Sequence, residues 1–189
     1  MDISRDDAAQ ALSDIASAQG RSRTLAAYGI AGPILIVWGV VWLVAYTGMG
    51  LSSPNLWVYI WLPADIVGAL ATIVLSQRGA RGGGTKPGII GMGWRIVAGM
   101  VMAAVFCVGL FSMVRSQDLN VYMAVPGLLT GAIYSVLGLG RMTRYLWLGI
   151  AVTAASLIGF FAFPAILPYW MAVTGGGGLI VGGLLFRRP

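Results

Sequence analysis

The chain has 189 residues and a net charge of +6, and 58% of its residues are hydrophobic while only 10% are charged. Soluble domains usually carry about 25% charged residues, so most of this chain is expected to lie in a solvent other than water. The sequence has no His and no Glu, which removes the usual acid–base group and the commonest transition-metal ligand. We therefore expect neither an enzyme nor a cofactor or metal site.

The first 24 residues form the one long polar segment. Ser4 and Asp7 have the spacing of a capping box, and Gly20 is a natural end for a helix. Apolar residues recur at helical spacing between these signals, so residues 1–24 are predicted to form a short amphipathic helix on the cytoplasmic side of the membrane. Such a helix either lies in water or at the lipid interface, or docks a cytosolic partner.

Six apolar runs follow, each near the roughly 20 residues that a membrane-spanning helix needs. They predict an all-α membrane protein with six transmembrane helices in residues 25–186. In chain order, span one to span six are Leu25–Tyr46, Pro54–Leu75, Ile96–Val114, Leu119–Leu139, Tyr145–Phe163 and Leu167–Phe186.

Basic residues mark every second connection between these spans. They precede span one, lie between spans two and three and between spans four and five, and follow span six as a tail at 187–189. Cytoplasmic loops are enriched in Lys and Arg, so both termini are predicted in the cytoplasm, and we expect a bacterial inner membrane. The basic loops are expected to meet anionic lipid headgroups, and charges scattered in this way do not indicate nucleic-acid binding.

The even-numbered spans resemble one another. Aligned without gaps, Pro63 of span two meets Pro126 of span four, and Arg78 meets Arg141. Span six ends in the same way at Arg187. We infer three helical hairpins of one type, arranged as a parallel repeat.

Small residues recur along each even-numbered span. Lipid offers no hydrophobic drive between helices, so spans associate where small residues let backbones approach closely. The pattern predicts that the even-numbered helices are central and that the bulkier odd-numbered helices lie outside. The small residues concerned are Gly68, Thr72 and Ser76, then Gly127, Gly131 and Ser135, then Gly178 and Gly182.

One acid, Asp65, lies near the middle of span two. A carboxylate at this depth costs at least about 2.5 kcal/mol, so such a residue usually faces a cavity or a partner. Thr130 and Thr174 are predicted at comparable depth and are candidates to hydrogen-bond a protonated Asp65. An ion pair with Arg95 and a purely structural, neutral Asp65 are the alternatives.

Proline and glycine interrupt the even-numbered spans near the same depth. Matching interruptions in repeated halves are the best sequence indication of a transporter binding site. The candidate helix breaks are Pro63, Pro126, Gly175, Gly176, Gly177 and Gly178.

Two functions are consistent with these features. In the first, the protein is a transporter of a small solute, an ion or a proton, with its site at Asp65. In the second, it is a structural or regulatory membrane subunit that docks a partner through the N-terminal helix and the basic loops. Both are compatible with a homo-oligomer or a larger membrane complex.

Overall fold

The computed structural model describes residues 5–82, 116–139 and 142–187, together with seven positions from 102 to 114. Within these residues the regular structure is helical, and no strand is present. Five helices in this part of the chain are long and apolar enough to cross a membrane. The predicted all-helical class is therefore confirmed. Span three and Arg95 lie largely or wholly outside the described residues.

Spans four and five begin and end within two residues of the predicted boundaries, whereas the first helix begins 20 residues before span one and the helix of span two ends seven residues beyond Leu75. Span one lies within Arg5–Leu51, and span two lies mostly within Trp57–Gly82. Span four is Leu119–Gly138 and span five is Thr143–Ala162. The tight connections before spans two and six each contain a short 3-10 turn that begins at a proline.

Span six has an irregular backbone. It begins as an α-helix at Leu167–Trp170, takes π-helical geometry over Met171–Gly176, and returns to α-helix over Gly177–Phe186. The irregular segment includes two of the four glycines predicted to interrupt this span. Single π-helical turns are rare and are frequent at functional sites.

The first helix continues without a break through Gly20, where the sequence predicted its end. A glycine inside a helix costs about 1 kcal/mol relative to alanine, and the Thr24 hydroxyl donates a hydrogen bond to the Gly20 carbonyl at 3.1 Å. The helix has 47 residues, which at 1.5 Å per residue is about 70 Å. It is therefore more than twice as long as the hydrocarbon core is thick.

Span one contributes more buried hydrophobic side chains than any other described span. Only 11% of the most apolar stretch of span two is buried, against 44% for span six. Span two packs against span one, so the prediction that the even-numbered helices are central is wrong for span two. The buried side chains of the first helix are Tyr28, Ala31, Leu35, Val41, Trp42, Ala45, Tyr46 and Met49.

Spans one and six run antiparallel and meet at glycines. A Cβ on Gly39 would lie 2.6 Å from the Gly176 carbonyl oxygen, and a Cβ on Gly183 would lie 2.6 Å from the Gly32 carbonyl oxygen. The two glycines on each span are seven residues apart, so the close contact between the spans continues over two helical turns. Gly178, which the sequence predicted to face a neighbour, has open space beside it.

Spans four and five form the other tight pair. Gly127 lies against Ser156, and Gly131 lies against the backbone of Gly149 and Thr153. The small residues of span four thus face a neighbour as predicted, but the neighbour is an odd-numbered span. Two spans pack closely when one of them presents small residues. The span that packs against those residues can be odd-numbered.

Candidate functional site

Span two is fixed to span one by a tryptophan that lies over its small residues. The Trp38 indole nitrogen donates a hydrogen bond to the Thr72 hydroxyl at 3.0 Å, and that hydroxyl donates to the Gly68 carbonyl at 2.8 Å. A Cβ on Gly68 would lie 3.0 Å from the Trp38 ring. The glycine makes room for the indole, and the threonine satisfies its N–H.

A second set of contacts joins the two spans at the other end of their interface. The Trp57 indole nitrogen donates to the Met49 carbonyl at 3.3 Å, and the Trp61 indole nitrogen donates to the Met49 sulfur at 2.8 Å. The Trp61 ring packs edge-on against the Tyr46 ring at 5.1 Å. Together with Trp38, these contacts fix the rotation of span two about its own axis.

This rotation places Asp65 at the edge of the packed face. At 3.6 residues per turn, Asp65 lies one turn beyond Trp61 and two turns before Thr72, yet its side chain is exposed. It makes no hydrogen bond or ion pair with the described residues. Eleven residues separate it from Pro54, or about 16 Å along a helix, which is half the thickness of the hydrocarbon core.

Tyr46 connects the surroundings of Asp65 to span four. Its side chain is fully buried, and its hydroxyl donates to the Met123 carbonyl at 2.8 Å. The Tyr46 ring packs against Trp61, which lies one turn before Asp65. Met123 precedes Pro126 by three residues, so this bond reaches span four within the turn that contains its proline.

The structure does not join Asp65 to either predicted threonine by a hydrogen bond. The Thr174 hydroxyl donates to the Trp170 carbonyl at 2.7 Å, within its own span. Thr130 is half-buried and makes no hydrogen bond with its side chain to the described residues. Because span two packs on span one, Asp65 lies at the edge of the one–two pair rather than at a junction of even-numbered spans.

The predicted helix breaks differ in outcome. Pro63 and Pro126 lie inside helices that continue past them. Gly175 and Gly176 fall in the π-helical segment of span six and act in packing: a Cβ on Gly175 would lie 2.9 Å from the Trp42 ring.

The other two glycines, Gly177 and Gly178, lie in the α-helical part of span six. A Cβ on either would meet no atom of the described residues within 4 Å. Neither glycine is therefore needed for close packing among the helices that the structure describes.

Two further observations concern polar and metal-binding side chains in the described residues. Ser76, on the same side of span two, is 6% exposed, and its hydroxyl has no hydrogen-bond partner among the described residues. No group of three or more His, Cys, Asp or Glu in this part of the chain is placed to hold a metal ion.

Sequence reasoning identified the small residues of span two but missed what covers them. The signal was present, because Trp38 and Trp42 are one turn apart in span one and can cover small residues on two neighbouring helices. The Tyr46–Met123 bond had no sequence signal, since a backbone carbonyl carries no residue identity.

No protein-family model, no curated protein and no solved structure matches the chain. Function must therefore be argued from the site itself.

Proposed function

We propose that the protein binds a proton or a small cation at Asp65, in an assembly of two copies that meet along span two. The observation that carries this proposal is the exposure of Asp65 on the least buried of the five spans. Hydrocarbon offers a carboxyl group no hydrogen bonds, and exposure to it is costly. The described residues of one copy leave the group exposed, and we infer that a second protein surface covers it.

A second copy of the chain can cover Asp65, and no other molecule is then needed. In an interface with two-fold symmetry each residue near the axis approaches its own counterpart, so two Asp65 side chains would meet. Two carboxyl groups at close range hold a proton between them, because both cannot ionise side by side. Exposed apolar residues next to Asp65, including Val58 and Leu62, would pack around the pair.

This assembly retains the transport hypothesis and moves its binding site. The site would lie between two bundles rather than inside one, where glycine and aromatic residues already fill the space between the described helices. The alternative is that a different protein, with a basic residue at the same depth, covers Asp65. The five described spans contain no Lys or Arg at such a depth, so these spans of a second copy do not supply that cation.

We also infer that both termini lie in the cytoplasm and that the hairpins repeat. Four exposed or half-buried arginines support the orientation, because helices that alternate in direction place all four at one end of the bundle, here named the basic end. These residues are Arg21, Arg78, Arg144 and Arg187.

The transport proposal is tested by proton flux into liposomes that contain the purified full chain and a trapped pH-sensitive dye. Wild type is expected to dissipate an imposed pH gradient faster than empty liposomes. Asp65→Asn keeps the shape and removes the ionisable group, so flux should fall to the empty-liposome rate while thermal unfolding is unchanged. Equal flux in wild type and Asp65→Asn would exclude a proton pathway through this residue.

A docking subunit is the second candidate, and the length of the first helix favours it. Leu12 and Ile15 share one face of the helix before span one and are 68% and 54% exposed. Deleting residues 1–20 tests this candidate in cells. If the truncated protein inserts normally into the membrane but no longer functions in the cell, docking is favoured. If the truncated protein keeps proton flux and assembly, the Asp65 site is favoured.

A further inference from the structure

The basic end of the bundle contains an arginine held against a buried tyrosine. The guanidinium carbon of Arg144 lies 5.0 Å from the centre of the Tyr28 ring. Its Nη1 donates to the Leu185 carbonyl at 3.0 Å, and its backbone nitrogen donates to the Tyr28 hydroxyl at 3.1 Å. The Tyr28 ring also packs edge-on against Phe186 at 5.0 Å. These contacts join spans one, five and six in one corner.

A second arginine, Arg187, lies in the same corner. It follows span six, and its side chain lies beside span one, where a Cβ on Gly32 would be 2.7 Å from the Arg187 Cγ. The Arg187 side chain is exposed and makes no hydrogen bond or ion pair with the described residues. The Tyr28 hydroxyl, which accepts a bond from Arg144, has its own hydrogen left to donate within the described part of the chain.

Helix capping accounts for the position of Arg144 but not for that of Arg187. The carbonyl end of a helix carries a partial negative charge, which a nearby cation stabilises. Arg144 does this for span six through its bond to Leu185. Arg187 makes no such side-chain bond to the described residues, and it is the capping residue at which span six ends.

We propose that this corner binds the phosphate of an anionic phospholipid. A guanidinium group matches the geometry of phosphate oxygens, and the Tyr28 hydroxyl adds a donor with no charge. The corner lies where spans one, five and six reach the surface of the membrane, which is the depth of lipid headgroups. Basic residues at this depth are attracted to anionic lipid. The proposal does not depend on the pairing of Asp65.

Native mass spectrometry of the full chain, released from detergent with equal amounts of phosphatidylglycerol and phosphatidylcholine, tests this site. Wild type should retain more phosphatidylglycerol than phosphatidylcholine. Arg187→Gln should lower this excess about fivefold, because one basic residue near the surface contributes about 1 kcal/mol and 1.4 kcal/mol is tenfold. Arg78→Gln is the matched control, since Arg78 is exposed at the same end of the bundle but outside this corner, and it should lower the excess by a clearly smaller factor.

Tyr28→Phe keeps the ring packing and removes the hydroxyl, so it should also reduce the excess, by a smaller factor. Equal losses in Arg187→Gln and Arg78→Gln would mean that the charge acts diffusely, and no loss in Arg187→Gln would exclude the site. A parallel arm adds inorganic phosphate to lipid-free protein in detergent. Protection of wild type from thermal unfolding by phosphate, absent in Arg187→Gln, would assign the corner to a soluble anion and overturn the lipid proposal.

Discussion

The Trp38 indole nitrogen and the Thr72 hydroxyl are joined by a 3.0 Å hydrogen bond between spans one and two. The indole can approach because Gly68, one turn before Thr72, has no side chain to obstruct it. This single contact therefore uses both features of the small-residue face: the absence of bulk and the presence of a hydroxyl. It also fixes the side of span two on which Asp65 is exposed.

Thr72→Val should destabilise the protein, because valine keeps the shape and leaves the Trp38 N–H without an acceptor. Hydrogen bonds between membrane helices average about 0.6 kcal/mol, with a maximum of about 1.7 kcal/mol, so the free energy of unfolding should fall within that range. Ser76→Ala is the matched control. Its buried hydroxyl has no partner among the described residues, so removing it should leave stability unchanged or raise it. Reversible unfolding in mixed micelles measures both, and a larger loss for Ser76→Ala would contradict the assignment.

Gly176→Ala and Gly177→Ala should have different effects on stability although the two glycines are adjacent. A Cβ on Gly176 would lie 2.8 Å from the Gly39 carbonyl oxygen, whereas a Cβ on Gly177 would meet nothing within 4 Å. Overpacking costs about 1–3 kcal/mol, so Gly176→Ala should lower the thermal midpoint. Gly177→Ala should be neutral or stabilising, since alanine favours helix. Similar midpoints for the two variants would show that spans one and six do not meet at Gly176.

Tyr46→Phe removes the hydroxyl that donates to the Met123 carbonyl and keeps the ring that packs against Trp61. The expected loss is again about 0.6–1.7 kcal/mol. Tyr59→Phe serves as its control, because Tyr59 is 72% exposed. A loss of stability for Tyr59→Phe equal to that for Tyr46→Phe would argue against a bond between spans one and four.

The sequence predicted the ends of spans four, five and six well, but it predicted neither the length of the first helix nor which helix is central. Hydropathy and proline set the ends of a span, and both are properties of the local sequence. Centrality depends on which surfaces are complementary, and Trp38 and Trp42 of span one fit the glycines of spans two and six. A count of small residues identifies one half of such a contact and does not reveal the other half.

The candidate site was predicted only in part, again because local sequence does not reveal which surfaces meet. Asp65 is identified by its charge within an apolar run, and the structure adds that it lies at the edge of a packed face. Thr174 satisfies its hydroxyl within its own helix, an option open to any threonine in a helix. Position within a span therefore identified Thr130 and Thr174 as candidates, but it could not show whether they lie beside Asp65.

Cysteine labelling in intact cells tests the predicted orientation. Ser17 and Ser53 are both exposed and lie on opposite sides of span one. In a Cys107→Ser background, which removes the one native cysteine, Ser53→Cys should react with a membrane-impermeant maleimide. Ser17→Cys should react only after permeabilisation. The reverse pattern would invert the topology and place the basic end outside.

The most direct test of the central claim is disulfide cross-linking of the purified full chain in liposomes, with Leu62→Cys in the Cys107→Ser background. Leu62 is 60% exposed and one turn from Asp65, and Val136 of span four, 67% exposed, provides the control as Val136→Cys. Assembly along span two predicts that Leu62→Cys forms a cross-linked dimer, that Val136→Cys does not, and that adding Asp65→Leu reduces the Leu62→Cys dimer. Equal cross-linking at both positions, or a Leu62→Cys protein that stays monomeric, would contradict the account.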